Sequence, residues 1–238
     1  MGEQVFKPVE EFREIVSHLK KLVTAHMEMG LEIPTLSAST LDYLNSRASG
    51  FASLEDLRKY VGDCKRCKLG YGRTNLVFGE GLPQARLVFV GEGPGREEDQ
   101  AGLPFVGEAG RLLTKIINAM GLSREEMYIC NVVKCRPPKN RDPEADEIET
   151  CLPFLKEQLN LIRPQVICAL GRIAAQALLG KEFKITHERG SWHSFMDIPL
   201  MPTYHPAYLL RNPSAKRQVW DDIQKIMKHM GLEVKKDG

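Results

Sequence analysis

No run in this chain approaches the roughly 20 consecutive apolar residues of a membrane-spanning helix. The opening residues, MGEQVFKPVEEF, also lack the apolar centre of a secretory signal. These absences argue against a membrane protein and an exported one, and a cytoplasmic location is expected. Neither sign of charge is in excess: 33 Lys and Arg stand against 31 Asp and Glu, and the net charge of +2 by itself says nothing about partners. Cysteine is sparse, with six in 238 residues. In a reducing compartment these thiols are not expected to form disulfides, so a patterned subset points to metal binding or catalysis.

What is present suffices for one good core with a small appendage: 42% of the residues are hydrophobic and 27% charged. In residues 8–30, Phe12, Ile15, Leu19, Leu22, Val23 and Met27 recur at helical spacing and Gly30 suits a C-cap. From Pro34 to Ser53 the chain turns to Ser, Thr, Ala and Gly, the composition of a linker. The expected organisation is therefore an N-terminal amphipathic helix and linker over 1–52, with no assigned function, and a catalytic domain over 53–238.

Within that domain four β-rich runs, 86–90, 128–133, 165–170 and 198–203, alternate with helical patterns at 108–120, 144–162, 171–179 and 214–230. This order predicts an α/β fold, a three-layer αβα sandwich around a four-stranded parallel sheet. Ligands of such sheets bind outside the carboxyl ends of the strands. There the sequence places GEGPGREED after the first strand, Asn131 at the end of the second and His205 after the fourth.

Cys64 and Cys67 form a C-x-x-C pair among basic residues, and Cys135 and Cys151 follow far downstream. Cys130 and Cys168 lie in predicted strands and read as small core residues. Four thiolates suit either a cubane iron–sulfur cluster or a structural zinc, and the wide spacing of the second pair weakens zinc without excluding it. In GEGPGR the third glycine of a dinucleotide fingerprint is replaced by Arg96, and GREEDQAGLPF, with Gly102 and Pro104, is not expected to open a helix. The loop still offers backbone amides to an anion or a carbonyl oxygen. Three basic clusters, Lys65, Arg66 and Lys68; Lys134, Arg136, Lys139 and Arg141; and Arg211, Lys216 and Arg217, track phosphates or are solvated surface.

GEGPGREED, LPFVGEAG, NVVKCRPPKNRDP and TYHPAYLLR, in this order and with the four cysteines, resemble the family 4 uracil-DNA glycosylases, thermostable-type enzymes with a four-iron cluster. The resemblance covers about residues 53–230. It implies removal of uracil from single- or double-stranded DNA and a [4Fe–4S] cluster on Cys64, Cys67, Cys135 and Cys151. By motif position it implies that the loop of Gly91, Glu92 and Gly93 contacts the O2 side of uracil. Phe105 stacks on the base, Asn131 reads its edge and His205 stands beside O2. Residues 207–211, with Leu209, Leu210 and Arg211, resemble the family's minor-groove wedge. A monomer is expected, with any partner of the N-terminal helix unknown.

The chemistry agrees with these roles. Excision needs an extruded base, a flat apolar surface to hold it and an amide matching its edge, which Phe105 and Asn131 supply. Charge develops on O2 of the leaving uracil, where His205 and backbone N–H groups lower the barrier. The sugar becomes cation-like and favours a carboxylate that orients water. Many superfamily members carry an aspartate where this chain has Gly93, which leaves Glu92, Glu98 and Asp99; Glu98 is favoured, and the resemblance implies that it also crowds a thymine methyl. One branch of the superfamily bonds covalently to DNA through a histidine in the region of the third cysteine; residues 132–150 contain none, so a hydrolytic enzyme is expected. The rivals are a same-fold glycosylase for hypoxanthine or mismatched thymine, and a non-catalytic iron–sulfur DNA-binding or redox-sensing module.

Overall fold

The computed structural model describes residues 17–19, 21–25, 29 and 50–233. The chain divides into two compact units, Met1–Asn45 and Ser46–Gly238. In the first, residues 17–19 and 21–25 are helical and Leu19, Leu22 and Val23 are exposed; the rest of the helix expected over 8–30, and the linker to residue 49, lie outside the described residues. No helix among the described residues is long and apolar enough to cross a membrane.

The second unit is built on a six-stranded sheet in the order β1-β3-β2-β4-β6-β5. Its strands are β1 (Glu80–Gly81), β2 (Leu87–Gly91), β3 (Tyr128–Asn131), β4 (Val166–Leu170), β5 (His193–Phe195) and β6 (Ile198–Thr203). The four expected strands form the parallel centre, β3-β2-β4-β6. The expectation of a four-stranded, purely parallel sheet is corrected at both edges, where β1 pairs antiparallel to β3 and β5 antiparallel to β6. Two- and three-residue strands are too short to display a period in sequence and exist only through their neighbours.

The helices are α1 (Leu54–Val61), α2 (Arg96–Ala101), α3 (Glu108–Ala119), α4 (Ala145–Ile162), α5 (Arg172–Leu179), α6 (Ile185–Glu188), α7 (Pro206–Arg211) and α8 (Lys216–His229). Because strand side chains alternate, the sheet feeds two cores. Val88, Val90, Cys130, Ile167 and Ala169 face one core, with Leu57 of α1, Leu155 and Leu159 of α4 and Ala174 of α5. Leu87, Phe89, Ile129, Cys168 and Met201 face the other, with Leu113 and Ile117 of α3 and Ile223 and Ile226 of α8. Leu113 and Ile117, one turn apart and fully buried, each contribute about 2 kcal/mol of burial. The three-layer sandwich follows directly.

Capping fixes where the helices begin. Ser53 accepts the Asp56 N–H at 3.1 Å to start α1, and Glu147 accepts the Glu144 N–H at 2.7 Å to start α4. The segment after GEGPG also corrects its expectation: it opens the short helix α2, because Glu98 accepts the Gly95 N–H at 3.1 Å and Gly102 ends the helix at φ 71°.

Candidate active site

The carboxyl ends of β2, β3 and β6 open into a cleft of about 420 Å³, a volume ordinary for a small organic ligand. Its lining includes Glu92, Gly93, Glu98, Phe105, Asn131, His205 and Arg211, so seven of the expected site residues meet in one place. Gly91 lies immediately beneath. A Cβ there would stand 2.4 Å from Asn131 Oδ1 and 2.6 Å from Phe105 Cζ, so the missing side chain lets amide and ring close over the strand end. At Gly93 a Cβ would meet Val133 Cγ2 at 2.7 Å, so any side chain at that position requires Val133 to move.

Phe105 is 6% exposed and holds the left-handed backbone at φ 52°. Arg124 fastens it there by donating to the Phe105 carbonyl at 3.0 Å and to the Pro104 carbonyl. The Phe105 ring stacks on His205, with centroids 5.5 Å apart and planes 29° apart. Asn131 is 1% exposed, yet its Oδ1 has no hydrogen-bond partner. A buried amide oxygen left bare at the floor of a cleft is a position prepared for a donor that arrives with a ligand.

His205 precedes α7 and accepts the Ala207 N–H on Nδ1 at 3.1 Å. Burial, seconded by Arg211 and opposed by Glu98, lowers its pKa to about 4. The imidazole is therefore neutral near pH 7, and since Nδ1 is an acceptor its proton sits on Nε2.

The three carboxylates after β2 separate clearly. Glu98 accepts the Gly95 N–H on one oxygen and the N–H groups of Val106 and Gly107 on the other, at 3.0 and 2.9 Å. It ties the glycine loop to the segment carrying Phe105. Asp99 is 3% exposed and accepts the Thr74 and Asn75 N–H groups, so it turns away from the cleft and leaves the set of water-activating candidates. The Glu92 carboxylate makes no hydrogen bond or ion pair among the described residues, and burial together with Asp142, opposed by Arg172, pushes its pKa up to about 7.

Two further expectations are corrected. Leu209 is 1% exposed, packed in the core of α3 and α8, and is closed to a DNA groove; Leu210 and Arg211 of the same helix remain, and Arg211 lines the cleft. Lys134 is 1% exposed, so it does not track phosphates with its neighbours in the basic run. The cleft also gathers Arg141 of the second basic cluster and Tyr208 of the 207–211 stretch, together with Asn140 and Asp142, which sequence reasoning did not assign; their signal was membership of the motif NVVKCRPPKNRDP.

Cys64, Cys67, Cys135 and Cys151 line a second, small cavity walled by Val61, Leu76 and Phe154. All four are free thiols. They are not drawn together as a single metal ion would require, and no such close group occurs among the described residues. Arg66 donates to Cys64 Sγ at 3.2 Å and the Lys134 N–H to Cys151 Sγ at 3.3 Å. Burial pushes the Cys135 thiol up to about 12 and raises Cys151 as well. Cys130 and Cys168 are fully buried core residues.

Residues 78–224 match the family model of the uracil DNA glycosylase superfamily. The chain is similar to the type-4 uracil-DNA glycosylase of Sulfurisphaera tokodaii, 48% identical over 73% of this chain and 83% of that protein. It is 47% identical to that of Thermotoga maritima, over 78% of this chain and 96% of that protein. It is 44% identical to that of Saccharolobus solfataricus, over 73% and 85%.

Proposed function

The chain belongs to the uracil DNA glycosylase superfamily and within it to the type-4 uracil-DNA glycosylases, and from that premise we propose that it hydrolyses the N-glycosidic bond of uracil in DNA, leaving an abasic site. The observation that carries this reading is the bare, buried Asn131 Oδ1, which shares the space above Gly91 with the Phe105 ring.

Uracil turned out of the stack lies on Phe105, presents N3–H to Asn131 Oδ1 and takes the amide N–H at O4. As the glycosidic bond breaks, negative charge gathers on O2, and neutral His205 donates Nε2–H there. Because the imidazole does not have to lose a proton first, it serves as a fixed dipole. Glu92, ionised in a partly dry site, faces the cation-like sugar and orients the attacking water. This assigns to Glu92 the part that sequence motifs favoured for Glu98, since both oxygens of Glu98 are occupied by backbone N–H groups. Arg211, Tyr208 and Leu210 lie where the strand flanking the lesion passes, so the expected partner is uracil-containing DNA, single- or double-stranded.

Cys64, Cys67, Cys135 and Cys151 would hold a [4Fe–4S] cluster: the four thiols line one small cavity with apolar walls, and N–H donors reach two of the sulfurs. The cluster would supply a structural crosslink between segments distant in sequence. A cytoplasmic monomer is the reading consistent with the sequence.

The test is incubation with uracil, hypoxanthine, mismatched thymine and undamaged oligonucleotides, followed by alkaline cleavage of abasic sites. Strand breaks at uracil are expected. Breaks at another base alone would transfer the reading to that base, and no breaks with a fully loaded preparation would refute it.

A further inference from the structure

Behind the cleft lies a buried polar chain that the reaction above does not use. Lys134 Nζ donates to the main-chain carbonyl of Asn131 at 2.7 Å and to Gln158 Oε1 at 2.5 Å. Gln158, also fully buried, donates onward to the Phe78 carbonyl at 2.9 Å and to Tyr128 Oη at 3.0 Å. The Lys134 main chain is pinned as firmly: its N–H meets Cys151 Sγ at 3.3 Å and its carbonyl accepts the Val77 N–H at 2.8 Å.

We infer that Lys134 is a positioning residue for base recognition, holding the Asn131 peptide so that the amide faces the cleft in one orientation, from an anchor shared with the cysteine centre. The inference rests on reading Asn131 as the group that matches the uracil edge. Three facts argue for it. First, a fully buried lysine whose two hydrogen-bond acceptors are neutral oxygens is a costly way to fill space, and an apolar side chain of equal length would fill it without donors to satisfy. Second, β3 ends at Asn131 and the chain turns at once, with the Val132 and Val133 N–H groups tied to the Gly91 and Glu92 carbonyls at 2.9 and 3.1 Å. Among the described residues, Lys134 Nζ is the side chain that holds the Asn131 carbonyl. Third, the Asn131 side chain cannot orient itself through Oδ1, which is unpartnered until a base arrives. Its direction is set by its backbone. A misplacement of about 1 Å costs on the order of 10²-fold in a positioned reaction.

The test is a double-mutant cycle in the cluster-loaded protein. Lys134→Met removes the donor at nearly constant volume, and Lys134→Gln keeps an N–H able to reach the carbonyl. Each is measured in the native chain and in Asn131→Ala, by single-turnover excision of uracil and by affinity for DNA carrying an abasic site. Melting temperature and visible absorbance per chain report fold and cluster content.

Lys134→Met is expected to slow excision about 10- to 100-fold while changing abasic-site affinity less than twofold. Lys134→Gln should recover most of the loss. In the Asn131→Ala background neither substitution should slow excision further, because the group being positioned is gone. Equal losses in both backgrounds, or native excision by Lys134→Met, would overturn the inference. Should Lys134→Met not fold, the same cycle with Lys134→Gln decides: a loss that persists undiminished in Asn131→Ala overturns it, and one that vanishes there supports it. If Asn131→Ala itself excises uracil at the native rate, the reading of Asn131 fails, and this inference with it, by a result separable from the others.

Discussion

Glu92 should lower the stability of the enzyme at the pH where it works. Its carboxyl titrates near 4.5 in the unfolded chain and is pushed up to about 7 in the fold by burial and Asp142. Below pH 4.5 it is protonated in both states and contributes no difference. Between 4.5 and 7 the unfolded chain ionises while the folded one keeps its proton, so stability falls as pH rises, and above 7 the whole deficit is present. The full shift corresponds to about 3 kcal/mol. Discounted for a side chain that solvent still reaches, it leaves roughly 1–2 kcal/mol, or about 3–6 °C of melting temperature for a domain of this size. Glu92→Gln cannot ionise. Calorimetry at pH 4.5, 6 and 8 should show the variant gaining on the native protein as pH rises, up to that margin. His205 titrates alike in both proteins and cancels from the difference. Excision should move the opposite way: the native rate climbs through pH 7 as Glu92 ionises, and the variant stays low and flat. A melting difference independent of pH, or one that grows in favour of the native chain, refutes the reasoning.

His205→Ala should slow single-turnover excision by about 10²–10³ while leaving DNA affinity near native; chemistry at the native rate would remove the histidine from the mechanism. Asn131→Asp, which loses the donor to O4, should cut uracil excision by orders of magnitude, as parallel assays on uracil, thymine and cytosine oligonucleotides would show. Gly93→Asp should be poorly folded and inactive on account of Val133 Cγ2, and Gly93→Asp with Val133→Ala should recover its melting temperature. Cys67→Ala should lose iron and visible colour and melt well below Cys168→Ala; a colourless native preparation, made anaerobically and holding one zinc per chain, would replace the cluster by zinc.

The parallel centre was legible because its strands bury both faces and read as short apolar runs between helical periods. Residues 87–91 and 166–170 are buried without a break. Convergence of Gly91, Asn131 and His205 followed from strand ends alone. The differences among Glu97, Glu98 and Asp99 were not legible, since three acidic residues in a row look alike until a helix turns them. Glu97 then points out toward Arg111, Glu98 back onto the loop and Asp99 onto Thr74 and Asn75. Lys134 was hidden for the same reason, as one cation in a basic run whose backbone turn happens to send it inward. Motif position alone assigned Leu209 to the wedge, and it could not show that this six-residue helix turns Leu209 to the core.

Phe105 has one more consequence. Its left-handed backbone is locked by Arg124 and its ring is seated on His205, so the fold itself sets the base-holding slot and arriving uracil does not organise it. The work of separating uracil from its neighbours and its pairing partner then falls on the DNA. A wobble-paired uracil opposite guanine, or one in an unpaired strand, should pass the extrusion step faster than uracil held opposite adenine, with the rate of bond cleavage after capture the same for all three.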